Sequence, residues 1–107
     1  MNKIVSRDNK VAILHSPGYG TGWSSVNRNT HALLYDPETV VWVEAGKTNV
    51  RAYLRRVKDR FPHAIILESA LKNLEVTWLP VGTQFRIEEY DGHETVVLRD
   101  QVQWKVA

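Results

Sequence analysis

Asp91-Gly92 stands between two alternating runs, Gln84 to Tyr90 and Glu94 to Leu98. Asp-Gly accepts positive φ at both centres of a two-residue turn, and such a turn matches the twist of the strands beside it, so the dipeptide dictates a β-hairpin. On its first strand Phe85, Ile87 and Glu89 share one face and Arg86, Glu88 and Tyr90 the other, with Glu89 breaking the apolar set near the strand end. Leu74 to Leu79 and Gln101 to Val106 also have strand length, and Pro80-Val81-Gly82 and Arg99-Asp100 set them off from the hairpin. An antiparallel meander is expected from residue 74 onward.

The first half follows other periods. Val11 to Ser16 is a short apolar run closed by Pro17-Gly18, which reads as a strand buried on both faces. Ala32 to Tyr35 reads as a second short strand. Asp36-Pro37-Glu38 supplies a cap acceptor, a proline suited to the first helical position and an early carboxylate, while Gly46 can end the helix; the pattern predicts a helix over 37–45. The β-branched run Val40-Val41-Trp42-Val43 opposes that reading. Val50, Tyr53, Leu54, Val57 and Phe61 then form one helical stripe, with Thr48 or Asn49 as the cap and Pro62 as the stop. Together these elements predict an α+β fold, an antiparallel β-sheet with two short helices packed on one face. The first strand is expected to join that sheet.

With 107 residues the chain is expected to form one domain, 1–107. No run approaches the ~18 apolar residues of a membrane span, and residues 1–10 lack the apolar segment of a secretory signal, so neither membrane nor export is expected. The absence of cysteine excludes disulfides, thiolate nucleophiles and Cys-type zinc sites. His15, His31, His63 and His93 are scattered without a paired spacing. Neither metal nor cofactor is called for. Ser24 and Ser25 lack the Gly-x-Ser-x-Gly elbow, so no catalytic residue is assigned and the chain reads as a non-enzyme. A net charge of +2 is too small for a DNA coat, although residues 47–60 hold six basic residues against Asp59. That basic face, 51–60, makes a small nucleic-acid-binding regulator the alternative function; more often such a run is a solvated helix face.

Gly18-Tyr19-Gly20-Thr21-Gly22-Trp23-Ser24-Ser25 is the most informative local feature. Three glycines at alternate positions free the backbone to aim its N–H groups at one point, a nest suited to an anion. The spacing is that of neither a Walker loop nor a dinucleotide fingerprint. The alternative is a tight turn that seats Tyr19 and Trp23 in the core. Ser24, Ser25, Asn27 and Arg28 add the hydroxyl, amide and guanidinium groups that ribose and phosphate oxygens require. On the hairpin, Arg86 can aim its planar fork at a phosphate while an aromatic stacks on a base. Phe85 lies on the opposite face from Arg86, so the plate would be Tyr90, Trp23 or a residue of a second subunit. The competing reading pairs Arg86 with a carboxylate of its own strand. Most of Trp23, Trp42, Trp78 and Trp104 are expected in the core, and one or two suit a subunit interface.

Two blocks, Ser16-Pro17-Gly18-Tyr19-Gly20-Thr21-Gly22-Trp23-Ser24 and residues 78–94 from Trp78-Leu79-Pro80-Val81-Gly82-Thr83 to Glu89-Tyr90-Asp91-Gly92-His93-Glu94, resemble small phage proteins of the first Thoeris anti-defence family. They cover about a quarter of the chain. The resemblance implies a sponge that captures, without cleaving it, the cyclic ADP-ribose signal of bacterial TIR-domain proteins in the cytoplasm of an infected host. It also implies a homo-oligomer with the signal held at subunit contacts and, in some members, cyclic oligonucleotides at a further site. The candidate ligand residues, taken from the chemistry of the glycine segment and the hairpin, are Gly18, Tyr19, Gly20, Gly22, Trp23, Ser24, Asn27, Arg28, Phe85, Arg86 and Tyr90; the resemblance transfers none beyond its two blocks.

Overall fold

In a computed structural model, which describes residues 8–18 and 22–99, the first apolar run becomes β1 (Lys10–His15). Ala12, Ile13 and Leu14 are consecutive and all buried, so the strand is covered on both faces. Its partner is β2 (Glu75–Pro80), antiparallel, with Val11 opposite Leu79 and His15 opposite Glu75. Among the described residues, four helical segments stand between the two strands.

The first, α1 (Ala32–Tyr35), replaces the short strand expected there. The Leu33 and Leu34 N–H groups donate to the Thr30 and His31 carbonyls, both at 3.1 Å, so local bonds satisfy this backbone without a neighbouring strand. Leu33 is fully buried, and its carbonyl accepts the Trp23 indole N–H at 2.7 Å. Helix α2 (Pro37–Glu44) starts as its capping signature requires: the Asp36 carboxylate accepts the Thr39 N–H at 3.3 Å and Pro37 opens the first turn. Beyond Glu44, Gly46 adopts φ +102°. The cap and the burial of Val40 outweigh the strand preference of the β-branched run.

Helix α3 (Val50–Arg60) buries Tyr53 and Val57 from the expected stripe. Neither proposed cap side chain serves it: Asn49 occupies the cap position at φ +55° and makes no side-chain capping bond. Tyr53 stacks on Trp42 of α2, ring centroids 4.4 Å apart, and its hydroxyl meets Thr39 Oγ1 at 2.8 Å. Burial raises the Tyr53 pKa, against the opposing effect of the Thr39 bond. Helix α4 (Glu68–Asn73) was not expected. It buries Ala70 and Leu71, and the Lys47 ammonium donates to the Lys72 and Leu74 carbonyls at its C-terminal end.

The hairpin forms where Asp91-Gly92 places it. Strands β3 (Phe85–Tyr90) and β4 (His93–Leu98) pair from Phe85 with Leu98 to Tyr90 with His93. Asp91 at φ +50° and Gly92 at φ +83° give the positive-φ pair of a type I′ turn. The class is α+β. The single sheet is corrected: among the described residues β1–β2 and β3–β4 are separate two-stranded ladders. Strand 101–106 lies outside the described residues. Four helices are described where two were expected: α1 lies against β1, α2 against β2, and α3 packs on α4. One core unites the helices with β1 through Ala12, Leu14, Trp23, Leu33, Val40, Tyr53, Val57, Ile66, Ala70, Leu71 and Leu74. No described helix is long and apolar enough to cross a membrane.

Candidate functional site

Ser16, Trp23 and Ser25, on either side of the glycine loop's centre, converge on an anion that belongs to the chain. Glu94, the second residue of β4, is 1% exposed. Its Oε1 accepts the Ser16 N–H at 2.9 Å, and its Oε2 accepts the N–H groups of Trp23 at 2.9 Å and Ser25 at 2.8 Å. The Glu94 N–H returns a bond to the Ser16 carbonyl at 2.9 Å. Three converging donors stabilise the buried carboxylate, as they would a ligand's phosphate. The Trp23 and Ser25 amides are therefore occupied from within and are not available to a ligand. Gly22 needs its freedom here: its φ is +119°, and a Cβ would lie 3.1 Å from the Val26 side chain.

Past this stitch the chain turns through 24–31 and faces β3 across a cleft of about 460 Å³. Ser24, Ser25, Asn27, Arg28, Thr30 and His31 line one wall, and Ile87 and Glu89 the other. The Asn27 amide holds the turn: its Nδ2 donates to the Trp23 and Ile65 carbonyls, and its Oδ1 accepts the Ile65 N–H at 2.7 Å. Arg28 is exposed, and no ion pair of the described residues includes it. Glu89 accepts the Gly92 N–H at 2.6 Å, which fixes the carboxylate beside the hairpin turn.

Of the expected ligand residues, Ser24, Asn27 and Arg28 meet at this cleft. Trp23 does not: it is fully buried with its indole N–H bonded to Leu33, which leaves no face for a base and matches the core alternative. Arg86 is also displaced from the expected site. Alternation puts Ile87 and Glu89 on the cleft face and Arg86 and Tyr90 on the opposite one, where the Arg86 guanidinium binds Glu88 Oε1 at 2.6 Å. Tyr90 is 76% exposed on that same outer face. Phe85 is half-buried on the cleft's side of the strand without lining it. Gly18 lies against Asn73, and Tyr19 and Gly20 fall outside the described residues. Among the described residues Arg86 pairs with Glu88, while Ser16, Trp23 and Ser25 meet the hairpin through Glu94.

Thr30, His31, Ile87 and Glu89 were not anticipated in the wall. Glu94 had a readable signal, because alternation sets it on one face with Val96 and Leu98, where a carboxylate is out of place. A second cleft, about 340 Å³, lies between the β1–β2 ladder and β4. His15 and His93 line it, and His15 Nε2 meets Thr77 Oγ1 at 2.8 Å. Burial lowers the His15 pKa, opposed by Glu75 and Glu94 and assisted by His93.

The basic face of α3 is largely neutralised within the fold. Arg51 pairs with Glu68, Arg56 with Glu38, and Arg60 with both Asp36 and Glu38. Hydrogen bonding to Glu38 raises the Arg56 pKa, and hydrogen bonding to Asp36 raises that of Arg60, so both remain charged partners of these carboxylates. The chain matches no protein family model, no curated protein and no solved structure.

Proposed function

We propose that the protein binds a small, doubly anionic nucleotide of the cyclic ADP-ribose type in the cleft between residues 24–31 and β3, and holds it without cleavage. One observation carries this reading: Arg28 stands at the cleft with its guanidinium uncommitted to any carboxylate of the described residues, beside Ser24 and Thr30. Arginine's fork suits a phosphate, and the hydroxyls and the Glu89 carboxylate suit ribose and amino groups. The volume falls within the range of small-molecule sites, roughly 300–1,000 Å³. The sequence resemblance supports the same ligand class and sets the capture in the cytoplasm of a phage-infected bacterium, where it would withdraw an immune signal. Arg86 has no part in this version of the site.

Sequestration at nanomolar concentration requires about −12 kcal/mol. A charge-assisted bond from Arg28 contributes about 1.5–3 kcal/mol of that, so the hydroxyls, His31 and the apolar Leu34 and Ile87 must supply the rest. Isothermal titration with cyclic ADP-ribose isomers tests the reading. Arg28→Gln is expected to weaken binding at least tenfold, whereas Arg55→Gln on α3 leaves it unchanged. Heating the wild-type complex should return intact ligand. Unaltered affinity in Arg28→Gln overturns the site, and recovery of a cleaved product replaces sequestration with catalysis by the Ser24, Ser25 and His31 side of the cleft.

A further inference from the structure

Glu89 and Glu94 face each other across the hairpin. Tyr90 and His93 close the two-residue turn as a hydrogen-bonded pair, so Glu89 and Glu94 take the next, non-hydrogen-bonded position, where Cα atoms approach to about 4.5 Å. The Glu94 N–H accordingly points out of the hairpin and donates to the Ser16 carbonyl at 2.9 Å. Both carboxylates lie on the face that carries Phe85, Ile87, Val96 and Leu98. Like charges directly opposite each other weaken a ladder, and this pair is unequally compensated. Glu94 is buried under three backbone N–H groups, whereas Glu89, exposed at the cleft, accepts one, the Gly92 N–H at 2.6 Å, among the described residues.

The cleft therefore has two electrical poles. Ser24, Arg28, Thr30 and His31 present donors and a cation on one wall, while Glu89, paired with Glu94, makes the other wall acidic beside the apolar Ile87. On the reading of this cleft as a nucleotide site, on which the inference rests, we propose that Glu89 is its specificity-determining residue: it takes the hydroxyl groups of an unphosphorylated ribose and excludes nucleotides that carry an additional phosphate on that sugar.

An ionised carboxylate only accepts hydrogen bonds, so a vicinal diol with two O–H donors satisfies Glu89 and a phosphate does not. The Gly92 N–H holds Oε1, which orients the carboxylate before the sugar arrives. A phosphomonoester brings about −1.5 to −2 charge at neutral pH, set against Glu89 and, one strand over, Glu94. Glu94 cannot retreat from that charge, because three amides hold it. Arg28 stands on the opposite wall, where the pyrophosphate of the ligand engages it. The diol also supplies Glu89 with the compensation that the hairpin alone does not.

Isothermal titration of the full chain with cyclic ADP-ribose and with its 2′-phosphorylated form tests this role. The wild type is expected to bind the phosphorylated form at least about tenfold more weakly. In Glu89→Gln the amide oxygen can still accept the Gly92 N–H and the NH₂ can donate to a phosphate, so the two affinities should come within about threefold of each other. Arg28→Gln should weaken both ligands and leave their ratio at the wild-type value. Without any ligand, removing one of the two facing charges should raise the melting midpoint of Glu89→Gln by about 1–5 °C, an effect that added salt diminishes. Equal wild-type affinity for the two nucleotides overturns the selectivity and leaves the cleft reading intact; so does a ratio that Glu89→Gln leaves unchanged, or a midpoint that does not rise. Binding of neither nucleotide by the wild type overturns the cleft reading and the selectivity with it. Should Glu89→Gln fail to fold, salt decides on the wild type alone, and a ratio that does not shrink as ionic strength rises overturns the proposal.

Discussion

Glu94 is a fully buried carboxylate that no ion pair of the described residues neutralises. Three backbone N–H groups do that work, and each would lose a charge-assisted partner if the carboxylate became an amide. Glu94→Gln also aims an NH₂ at one of those donors. The expected loss is roughly 3 kcal/mol, read from the denaturant midpoint at neutral pH, and a loss below about 1 kcal/mol would remove Glu94 from its role. His15 gives a second prediction. Its folded pKa lies below the ordinary 6.5, so the unfolded chain binds more protons as pH falls. Stability from this residue is intact above pH 6.5 and declines as pH drops through the folded value; in His15→Gln that part of the pH dependence should disappear from urea titrations. At this scale the sequence revealed Arg28, Ser24 and Asn27 through their chemistry. It concealed Glu94's part because the contacts span 69 to 78 positions.

The elements that sequence made legible are those with local causes. The hairpin follows from Asp91-Gly92 and α2 from Asp36 and Pro37, whose bonds reach only three or four residues. Gly92→Ala tests the first. Its φ of +83° strains any residue with a Cβ, and the expected cost is about 1 kcal/mol, seen as a melting temperature lower by roughly 4–8 °C. No change on melting would mean that the turn is not in this conformation. Helices α1 and α4 were not legible, because each is short and neither has a side-chain capping bond at its start. Burial of Leu33, Ala70 and Leu71 in the shared core holds them in place. The same distinction governs the cleft. Its 24–31 wall comes from a contiguous polar segment, whereas Ile87 and Glu89 arrive only because the stitch at Glu94 brings β3 across.

At the scale of the molecule, charge is spent mainly on internal cohesion. Asp36 is 2% exposed and accepts from Thr39 while pairing with Arg60, so one carboxylate caps α2 and ties it to α3. The basic helix that suggested nucleic acid thus directs three of its arginines to carboxylates of the same chain. Summed charge along a sequence window could not distinguish these uses.

The stitch at Glu94 also sets an order of events during synthesis. Residues 16–25 leave the ribosome long before the carboxylate that organises them, with a separation of 78 positions for Ser16 and 69 for Ser25. Until residue 94 emerges, the Ser16, Trp23 and Ser25 amides have no internal carboxylate to bind, and the wall formed by 24–31 is without its anchor. A nascent chain arrested upstream of that residue leaves the Ser16, Trp23 and Ser25 amides without their carboxylate partner, and limited proteolysis of such a truncated chain is expected to cut this stretch sooner than in the full chain.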